Sequence, residues 1–173
     1  MKRVLAQGKY IRLVEEDGWE YSERVGASGV VVIVPLTAEG ELVMVEQYRM
    51  PLKSRVLELP AGLVGDIEGS EDESLETAAS RELEEETGFK ASSFKLLANG
   101  PSAAGSSTTL IHFYLATGMQ RTGPGGGDQH EDIEVHVVPL ASAEAFIDKK
   151  AAEGRMIDPK IYAGLHFARA AAR

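Results

Sequence analysis

The sequence predicts an α+β domain in which helices pack on a mixed β-sheet. Short β-rich runs, separated by Gly, Pro and Ser clusters, fill most of the first two thirds of the chain. One helical pattern interrupts these runs and two more follow them. This order, strands, helix, strands and then helices, is typical of helices covering a sheet. The length of 173 residues and the 43% apolar content indicate one domain, residues 1–173.

Strands are predicted where branched and aromatic residues cluster between turn-forming residues. The candidates are 9–15, 18–24, 28–36, 42–48, 55–59, 94–98, 109–116 and 133–138. The runs 28–36 and 42–48 are joined by Thr-Ala-Glu-Gly-Glu, which has turn chemistry. We therefore expect these two runs to pair as a hairpin.

Three helices are predicted from apolar spacing and capping residues. The first, about 73–87, has Leu75, Ala78 and Leu83 on one side and ends before Gly88, while its other side is acidic. The second spans about 142–153 with Ser142 as N-cap, and the third begins near Asp158-Pro159. The buried side of the third helix is expected to contain Ile161, Leu165 and Phe167.

A glycine-rich segment, residues 122–130, is expected to be a mobile loop. Four of its nine residues are glycine, and ordering them in a regular element costs conformational entropy. It is either a tolerated surface loop or, since loops often carry function, part of a site.

Composition excludes several kinds of chemistry and partner. The chain has no cysteine, which excludes disulfides, thiolate metal sites and thiol nucleophiles. No apolar run approaches the roughly 20 residues that span a bilayer, and the first residues lack a secretory apolar core. We therefore expect a cytoplasmic protein without a membrane partner.

The negative charge is concentrated in one segment. The formal net charge of the chain is −9, and residues 66–86 contain ten acidic residues and one basic residue, which also gives −9. Such a segment repels nucleic acids and polyphosphates unless cations intervene. The charge pattern indicates a cation site and no nucleic-acid partner.

Three glutamates of the first helix are candidate metal ligands. Glu82, Glu85 and Glu86 lie three and four residues apart, so their side chains point the same way and repel one another. Arg81 can pair with Glu85 four residues on. An acidic helix side is usually only solvated, but carboxylates also suit hard cations such as Mg²⁺ and Mn²⁺.

Residues 81–89, Arg-Glu-Leu-Glu-Glu-Glu-Thr-Gly-Phe, resemble the second half of the Nudix box position by position, and Glu73 stands where the box has a glutamate. The resemblance implies a Nudix hydrolase, a mixed sheet in an α/β/α sandwich, and a Mg²⁺ site that could also take Mn²⁺. It implies metal ligands at Glu82, Glu85, Glu86 and the backbone carbonyl of Ala61. It also implies that Arg81 orients a glutamate, so Arg81 and Glu85 are counted with the catalytic residues.

The upstream half of the box departs from the family pattern. The family has a glycine six residues before the position of Glu73, but residue 67 is Ile, and Gly62 is the better match. Leu63–Asp72 is then five residues longer. A longer surface loop costs little closure entropy, so the helix and its site can tolerate it.

Two segments before the box resemble the branch that hydrolyses ADP-ribose and other nucleoside diphosphate sugars. They are Val45–Arg49 and Leu57–Gly62. In that branch an arginine matching Arg49, and often one near Arg24, holds the diphosphate, and Glu58 lies close to metal and substrate. Trp19, in a more weakly similar segment, could stack on a base or lie in the core or in a dimer interface.

The segment Asp128-Gln129-His130-Glu131-Asp132 resembles the loop that bears the catalytic base in this branch. Glu131 is the candidate base, since a carboxylate can deprotonate water acidified by a metal ion; His130 is its rival. Many ADP-ribose hydrolases have an acidic residue near the position of Thr109, and this chain has none, which leaves the sugar preference open.

The resemblance implies hydrolysis of nucleoside diphosphate sugars, ADP-ribose foremost, by a homodimer that residues 1–25 help to build. Two alternatives stay open. The substrate could be another nucleotide, such as a nucleoside triphosphate, a dinucleoside polyphosphate or coenzyme A. The protein could also be a sensor that binds a nucleotide sugar without cleaving it.

Overall fold

A computed structural model describes residues 1–67, 69, 72–127 and 131–172 of the chain. Its elements follow the predicted order of strands, helix, strands and helices, except that one short strand lies between the last two helices. The strands are β1 (Arg3–Gln7), β2 (Ile11–Glu16), β3 (Trp19–Arg24), β4 (Gly29–Pro35), β5 (Glu41–Arg49), β6 (Ser54–Glu58), β7 (Ala61–Val64), β8 (Phe89–Lys90), β9 (Ser93–Pro101), β10 (Leu110–Thr117), β11 (Gln120–Arg121), β12 (Ile133–Pro139) and β13 (Met156–Ile157). The helices are α1 (Leu75–Thr87), α2 (Ala143–Ala152) and α3 (Lys160–Ala171), and a 3-10 turn, Leu140–Ser142, precedes α2.

Two four-stranded sheets form the centre of the fold. One has the strand order β7-β4-β10-β9, in which β4 and β10 are parallel and the other pairs are antiparallel. The other has the order β12-β5-β6-β13, in which only β6 and β13 are parallel. A separate three-stranded sheet, β1-β2-β3, is formed by the N-terminal residues.

The prediction that residues 28–36 and 42–48 pair as a hairpin is wrong. Both runs are strands, β4 and β5, but they belong to different sheets and share only the isolated bridge between Leu36 and Leu42. Both strands are almost fully buried, so each finds partners on both edges: β4 pairs with β7 and β10, and β5 pairs with β6 and β12. The short connection turns the chain from one sheet into the other.

Alternation along β4 separates two apolar cores. Val31 and Ile33 belong to the core that α1 covers, and Val32 and Val34 belong to the core that α2 and α3 cover. Because successive side chains of a strand point to opposite sides, one strand supplies both cores. The result is an α/β/α sandwich, which confirms the predicted fold class.

Helix α1 ends before Gly88, as the sequence predicts, and begins after Ser74. The Ser74 side chain accepts a hydrogen bond from the backbone N–H of Thr77, and Gly88, with φ of 72°, ends the helix in the left-handed conformation. Ala78, Ala79 and Leu83 are buried against the sheet. The packing of these residues fixes the direction in which the acidic side of α1 points.

The two C-terminal helices also match their predictions closely. The Ser142 hydroxyl donates to the Pro139 carbonyl rather than capping α2. At the start of α3, Asp158 Oδ1 accepts the Lys160 backbone N–H at 2.8 Å, which is the expected capping interaction. The buried side of α3 contains Ile161 and Leu165, with Phe167 partly buried.

The glycine-rich segment has no regular structure over 122–127, and its remainder, 128–130, lies outside the described residues. The described part is hydrogen-bonded to the end of α1. The Gly126 and Gly127 N–H groups donate to the carbonyls of Glu86 and Glu85, at 2.9 and 3.0 Å. These bonds satisfy carbonyls that the end of α1 leaves without helical partners.

No helix among the described residues is long and apolar enough to cross a membrane.

Candidate active site

A cleft of about 460 Å³ opens where β4, β6 and β7 meet α1 and the start of α3. Most of the predicted site residues line it. Its acidic lining residues are Glu58, Asp66, Glu82, Glu131 and Asp158, and its basic ones are Arg24, Arg49 and Lys160. Ala61 and Thr109 line it as well. The fold therefore brings together residues that lie more than 100 positions apart in the sequence.

Arg81 connects the carboxylates of α1 to the preceding loop. Its Nε and Nη2 donate to the two oxygens of Glu73, each at 3.1 Å, and Nη1 donates to Glu82 at 2.7 Å and to Glu85 at 3.3 Å. Nη2 also donates to the Leu63 carbonyl at 3.1 Å. The predicted pairing with Glu85 is confirmed, and the additional contacts make Arg81 the link between α1, Glu73 and β7.

Glu86 is the most enclosed carboxylate of the site, with 2% of its surface exposed. Its Oε2 accepts the Ala61 backbone N–H at 3.2 Å. Burial is the main reason that the pKa of Glu86 lies well above its ordinary value, and the charges of Glu82 and Glu131 raise it further. A cation among these carboxylates would remove the repulsion between them.

Glu82 lies against the backbone of β7. A Cβ on Gly62 would come within 1.9 Å of the Glu82 carboxylate, so this position must be glycine for the carboxylate to lie where it does. Burial raises the pKa of Glu82 to about 7, and Arg81 opposes that rise. Gly62, which sequence analysis treated only as a landmark of the box, thus forms part of the site.

Glu85 differs from the other two helix glutamates. Its side chain is 48% exposed and directed to Arg81. Of the three helix glutamates, Glu82 lines the cleft, whereas neither Glu85 nor the buried Glu86 is among its lining residues. Residues 82 and 86 are one full turn apart, whereas residue 85 lies about 60° to one side, as the 3.6-residue period requires. The expectation that all three share one side is therefore met by Glu82 and Glu86 and only approximately by Glu85.

Hard cations fit the donors of the cleft. Glu82, Glu86 and the carbonyl of Ala61 offer oxygen ligands. The charge of Glu82 raises the pKa of Glu86, so a cation bound between them would relieve this repulsion. In the described part of the chain, Glu82, Glu85 and Glu86 do not have ligating atoms that all lie within 4.8 Å of one another. Arg81 holds Glu82 and Glu85, while Glu86 is turned to Ala61.

A different group, Glu46, Glu134 and His136, does meet that distance. However, Glu46 already accepts hydrogen bonds from Arg55 at 2.9 Å and from Lys150 and Arg155 at 2.8 Å each. Three cationic side chains leave no net negative charge there to attract a metal ion. We interpret this group as a buried ion-pair network.

Arg49 and Glu58 form a close pair on one wall of the cleft. Arg49 Nε lies 3.0 Å from both carboxylate oxygens of Glu58, and its Nη2 makes a further contact with Oε2. Burial acts to lower the pKa of Arg49, but Glu58 raises it above its ordinary value, with smaller contributions from Glu86 and Glu131. Arg49 is therefore firmly cationic and faces the carboxylates of the cleft.

Glu131 lines the cleft, as predicted for the base, and its charge acts on both Glu86 and Arg49. Its rival, His130, lies outside the described residues. Arg24 also lines the cleft, from the end of β3.

Trp19 is not in the cleft of this chain. It is 65% exposed and lines a separate depression with Tyr21 and residues 104–108. The interpretation as a core tryptophan is wrong, and direct contact between Trp19 and a ligand in the cleft of its own chain is not supported. Trp19 is the first residue of β3, an edge strand of the N-terminal sheet.

Asp158 and Lys160 are cleft residues that sequence analysis missed. Asp158 donates its N–H to the Leu57 carbonyl at 3.0 Å, which places the start of α3 beside Glu58, and Lys160 pairs with the Asp158 carboxylate. Asp158 was noticed only as a helix cap. The Asp-Pro-Lys sequence signals the start of a helix. Nothing in the local sequence indicates that this start lies at a cleft shared with α1, which ends some 70 residues earlier in the chain.

Comparisons with known proteins show which proteins this chain resembles. A family profile described as the NUDIX domain matches residues 27–163. The methanol dehydrogenase activator of Bacillus methanolicus is 35% identical over 129 residues, which are 74% of this chain and 67% of that protein. The ADP-ribose pyrophosphatase of Bacillus subtilis (strain 168) is 31% identical over 156 residues, 86% of this chain and 82% of that protein.

A solved structure described as an ADP compounds hydrolase has the same fold. It superposes with a TM-score of 0.71, covering 98% of this chain and 90% of that one, at 21% sequence identity. At this identity the likeness concerns the fold.

Proposed function

The chain belongs to the NUDIX family, and we propose from that membership that it hydrolyses the diphosphate bond of nucleoside diphosphate sugars, ADP-ribose foremost. The products are a nucleoside monophosphate and a sugar phosphate. The observation that carries this proposal is the cleft itself, where carboxylates of α1 ordered by Arg81 face the guanidinium groups of Arg49 and Arg24. The similarity to an ADP-ribose pyrophosphatase supports the substrate class.

NUDIX hydrolysis depends on a divalent metal ion, and we propose Mg²⁺, with Mn²⁺ as a substitute. Glu82, Glu86 and the Ala61 carbonyl would hold it, with Glu85 as a further carboxylate on the same helix. When bound, the ion neutralises charge on the diphosphate and lowers the pKa of water. The buried, mutually repelling carboxylates of Glu82 and Glu86 support this assignment.

Glu131 acts as the general base. It accepts the proton of the attacking water while a new bond forms between that oxygen and phosphorus and the bridging P–O bond breaks. Its position at the cleft beside Arg49 and Glu86 supports this role. Arg81 keeps Glu82 and Glu85 in place, which is the orienting role expected of it.

Arg49 and Arg24 bind the diphosphate. A guanidinium group can donate two parallel hydrogen bonds to phosphate oxygens, which gives both charge and orientation. Glu58 fixes the plane of the Arg49 guanidinium before substrate arrives. Pre-positioning of this kind lowers the entropy lost on binding.

We also propose a cytoplasmic homodimer in which residues 1–173 act as one domain and residues 1–25 form part of the interface. The exposed apolar side chains of the N-terminal sheet support this, because large exposed apolar areas commonly mark protein interfaces. Trp19 is a candidate interface residue, and from the interface its side chain would reach the substrate bound by the partner subunit.

The test is a substrate panel of ADP-ribose, ADP-glucose, GDP-mannose, UDP-glucose and nucleoside triphosphates with Mg²⁺, read by product identity. We expect AMP and ribose 5-phosphate from ADP-ribose at the highest kcat/KM. Glu86→Gln should lose at least about 100-fold in kcat, because a buried metal ligand is replaced by a neutral group of the same shape. Glu84→Gln is the matched control, since Glu84 is exposed on the same helix and pairs with Lys90.

Binding of ADP-ribose without formation of AMP would contradict the enzymatic proposal and favour a sensor. Higher kcat/KM for a nucleoside triphosphate would move the substrate to another class within the family. Near-normal turnover by Glu86→Gln would refute the ligand assignment while leaving the substrate class intact.

A further inference from the structure

Arg55, on β6, connects the segment that bears Glu131 to a buried carboxylate outside the cleft. Its Nη1 donates to Asp132 Oδ2 at 2.8 Å, and its Nη2 contacts the Asp132 carbonyl at 3.4 Å. Its Nε donates to Glu46 Oε1 at 2.9 Å and Nη2 donates to the Glu46 carbonyl at 3.1 Å. One planar guanidinium group therefore holds the residue next to Glu131 and is itself held from the other side.

Glu46 is a fixed point for this contact. Its side chain is completely buried, and Lys150 and Arg155 also donate to it. Burial alone would raise its pKa, but the hydrogen bonds of Lys150 and Arg55 and the charge of Arg155 lower it to about 2. The carboxylate that orients Arg55 is therefore ionised at neutral pH.

The segment that precedes Asp132 is rich in glycine. Its four glycines allow many backbone conformations, and its N-terminal half is attached to α1 through Gly126 and Gly127. Gly127 also lies against the Glu131 carboxylate, since a Cβ there would come within 2.4 Å of Oε2. Glu131 therefore lies between two attachments, one to α1 and one to Arg55.

We propose that Arg55 is a positioning residue for Glu131: by fixing Asp132 it holds the neighbouring carboxylate at the cleft. This inference rests on the proposed function, in which Glu131 takes the proton of water. A general base must lie within hydrogen-bond reach of that proton, and small displacements lower the rate steeply. Arg55 itself lies outside the group of residues that line the cleft.

The chain contains a matched control for the test. Arg155 donates to the same Glu46 oxygen at 2.8 Å, with 38% of its side chain exposed, and no contact to Asp132 is present among the described residues. Arg55→Ala and Arg155→Ala each remove one cation from Glu46, but only the first releases Asp132. Asp132→Ala, at a side chain that is 86% exposed, releases the other end of the contact without disturbing Glu46.

The experiment measures kcat and KM for ADP-ribose in these variants, alone and combined with Glu131→Gln. We expect Arg55→Ala to lower kcat about fivefold to tenfold with little change in KM, which corresponds to one ion pair of moderate strength. Asp132→Ala should have a smaller effect in the same direction, and Arg155→Ala should keep kcat near that of the unaltered protein. In the Glu131→Gln background, Arg55→Ala should cause no further loss.

Equal losses in Arg55→Ala and Arg155→Ala would overturn the proposal, because the effect would then come from Glu46. An undiminished effect of Arg55→Ala in the Glu131→Gln background would overturn it as well. If the unaltered protein hydrolyses no nucleotide, the proposed function fails separately. In that case the rate of amide hydrogen exchange over residues 122–132 tests whether Arg55 holds this segment. The attachment is refuted if these amides exchange no faster in Arg55→Ala than in Arg155→Ala.

Discussion

At the scale of single residues, the cleft depends on the lack of a side chain at Gly62 as well as on the charged groups nearby. The Glu82 carboxylate occupies the space where any other residue at position 62 would have its Cβ. Gly62 lies in β7 and has no left-handed backbone that would itself require glycine. Glycine is therefore required at position 62 because the Glu82 side chain lies so close to the backbone.

Gly62→Ala should weaken metal binding without unfolding the protein. The atoms that the new methyl group meets are the end of a flexible side chain, so Glu82 can turn away while the backbone of β7 stays in place. We expect the Mg²⁺ concentration for half-maximal activity to rise at least about tenfold, as for loss of a supporting group in a metal site.

The control for this change is Gly100→Ala, since Gly100 also lies in a strand and has no atom within 4 Å of an added Cβ. Activity as a function of Mg²⁺ concentration and the melting temperature should be measured together. An unchanged Mg²⁺ requirement in Gly62→Ala would show that Glu82 is not a ligand.

At the scale of elements, the C-terminal end of α1 and the glycine-rich segment form one unit. Gly88 ends the helix, its carbonyl accepts the N–H groups of Thr122 and Gly123 at 2.8 and 3.0 Å, and Gly125 packs on the last helical turn. The segment that leads to Glu131 is in this way built directly onto the helix that carries the candidate metal ligands. Backbone contacts thus tie the first part of this segment, residues 122–127, to the end of α1.

Gly125→Ala should push the glycine-rich segment away from the C-terminal end of α1. An added Cβ would lie 2.4 Å from the carbonyl carbon of Thr87 and 2.7 Å from the Glu86 carbonyl oxygen, and backbone cannot yield as a side chain can. The φ of 72° adds a penalty of about 1 kcal/mol for a residue with a side chain. We expect lower stability and a lower kcat, measured by urea unfolding and ADP-ribose turnover.

Gly154→Ala isolates the backbone penalty, because Gly154 has a φ of 84° and no atom within 4 Å of an added Cβ. It should lose only that roughly 1 kcal/mol and keep its turnover. If Gly125→Ala and Gly154→Ala are equally stable and equally active, the packing of the segment on α1 is unimportant.

The elements also show how far sequence alone leads. Helix α1 was predictable because its apolar spacing and the Gly88 that ends it are local signals, although its N-cap, Ser74, was not identified. The partners of β4 and β5 were not, because pairing between buried strands is decided by the whole sheet and not by the turn between neighbours. The strand β7 was missed since Ala61–Val64 is short and contains glycine.

The same division applies to the site. Glu82, Glu86 and Arg49 were found because their spacing matches a known pattern, and the structure brings them to one cleft region. Lys160 and Arg55 were not found as site residues, since their contacts arise from the packing of α3 on β6 and of β6 beside Asp132. Only tertiary structure provides such information.

At the scale of the whole molecule, the N-terminal sheet is the part whose packing is least complete. Strands β1 and β2 expose Val4, Ile11 and Leu13 to between 41% and 55%, although Val14 in the same sheet is fully buried. Ile11 and Leu13 are two residues apart, so both point to the same side of β2. An apolar side of a sheet left in contact with water favours association with a second surface.

Leu13→Asp should therefore convert the proposed homodimer into a monomer. A charge placed inside an apolar interface loses its hydration without gaining a partner, which weakens association by several kcal/mol. Leu52→Asp is the control, because Leu52 is similarly exposed, at 53% against 41%, but lies in the turn between β5 and β6. Sedimentation velocity at micromolar concentration should show a dimer for Leu52→Asp and a monomer for Leu13→Asp. A dimeric Leu13→Asp variant would contradict the placement of the interface, and a monomer with full turnover would show that each cleft works without residues of the partner.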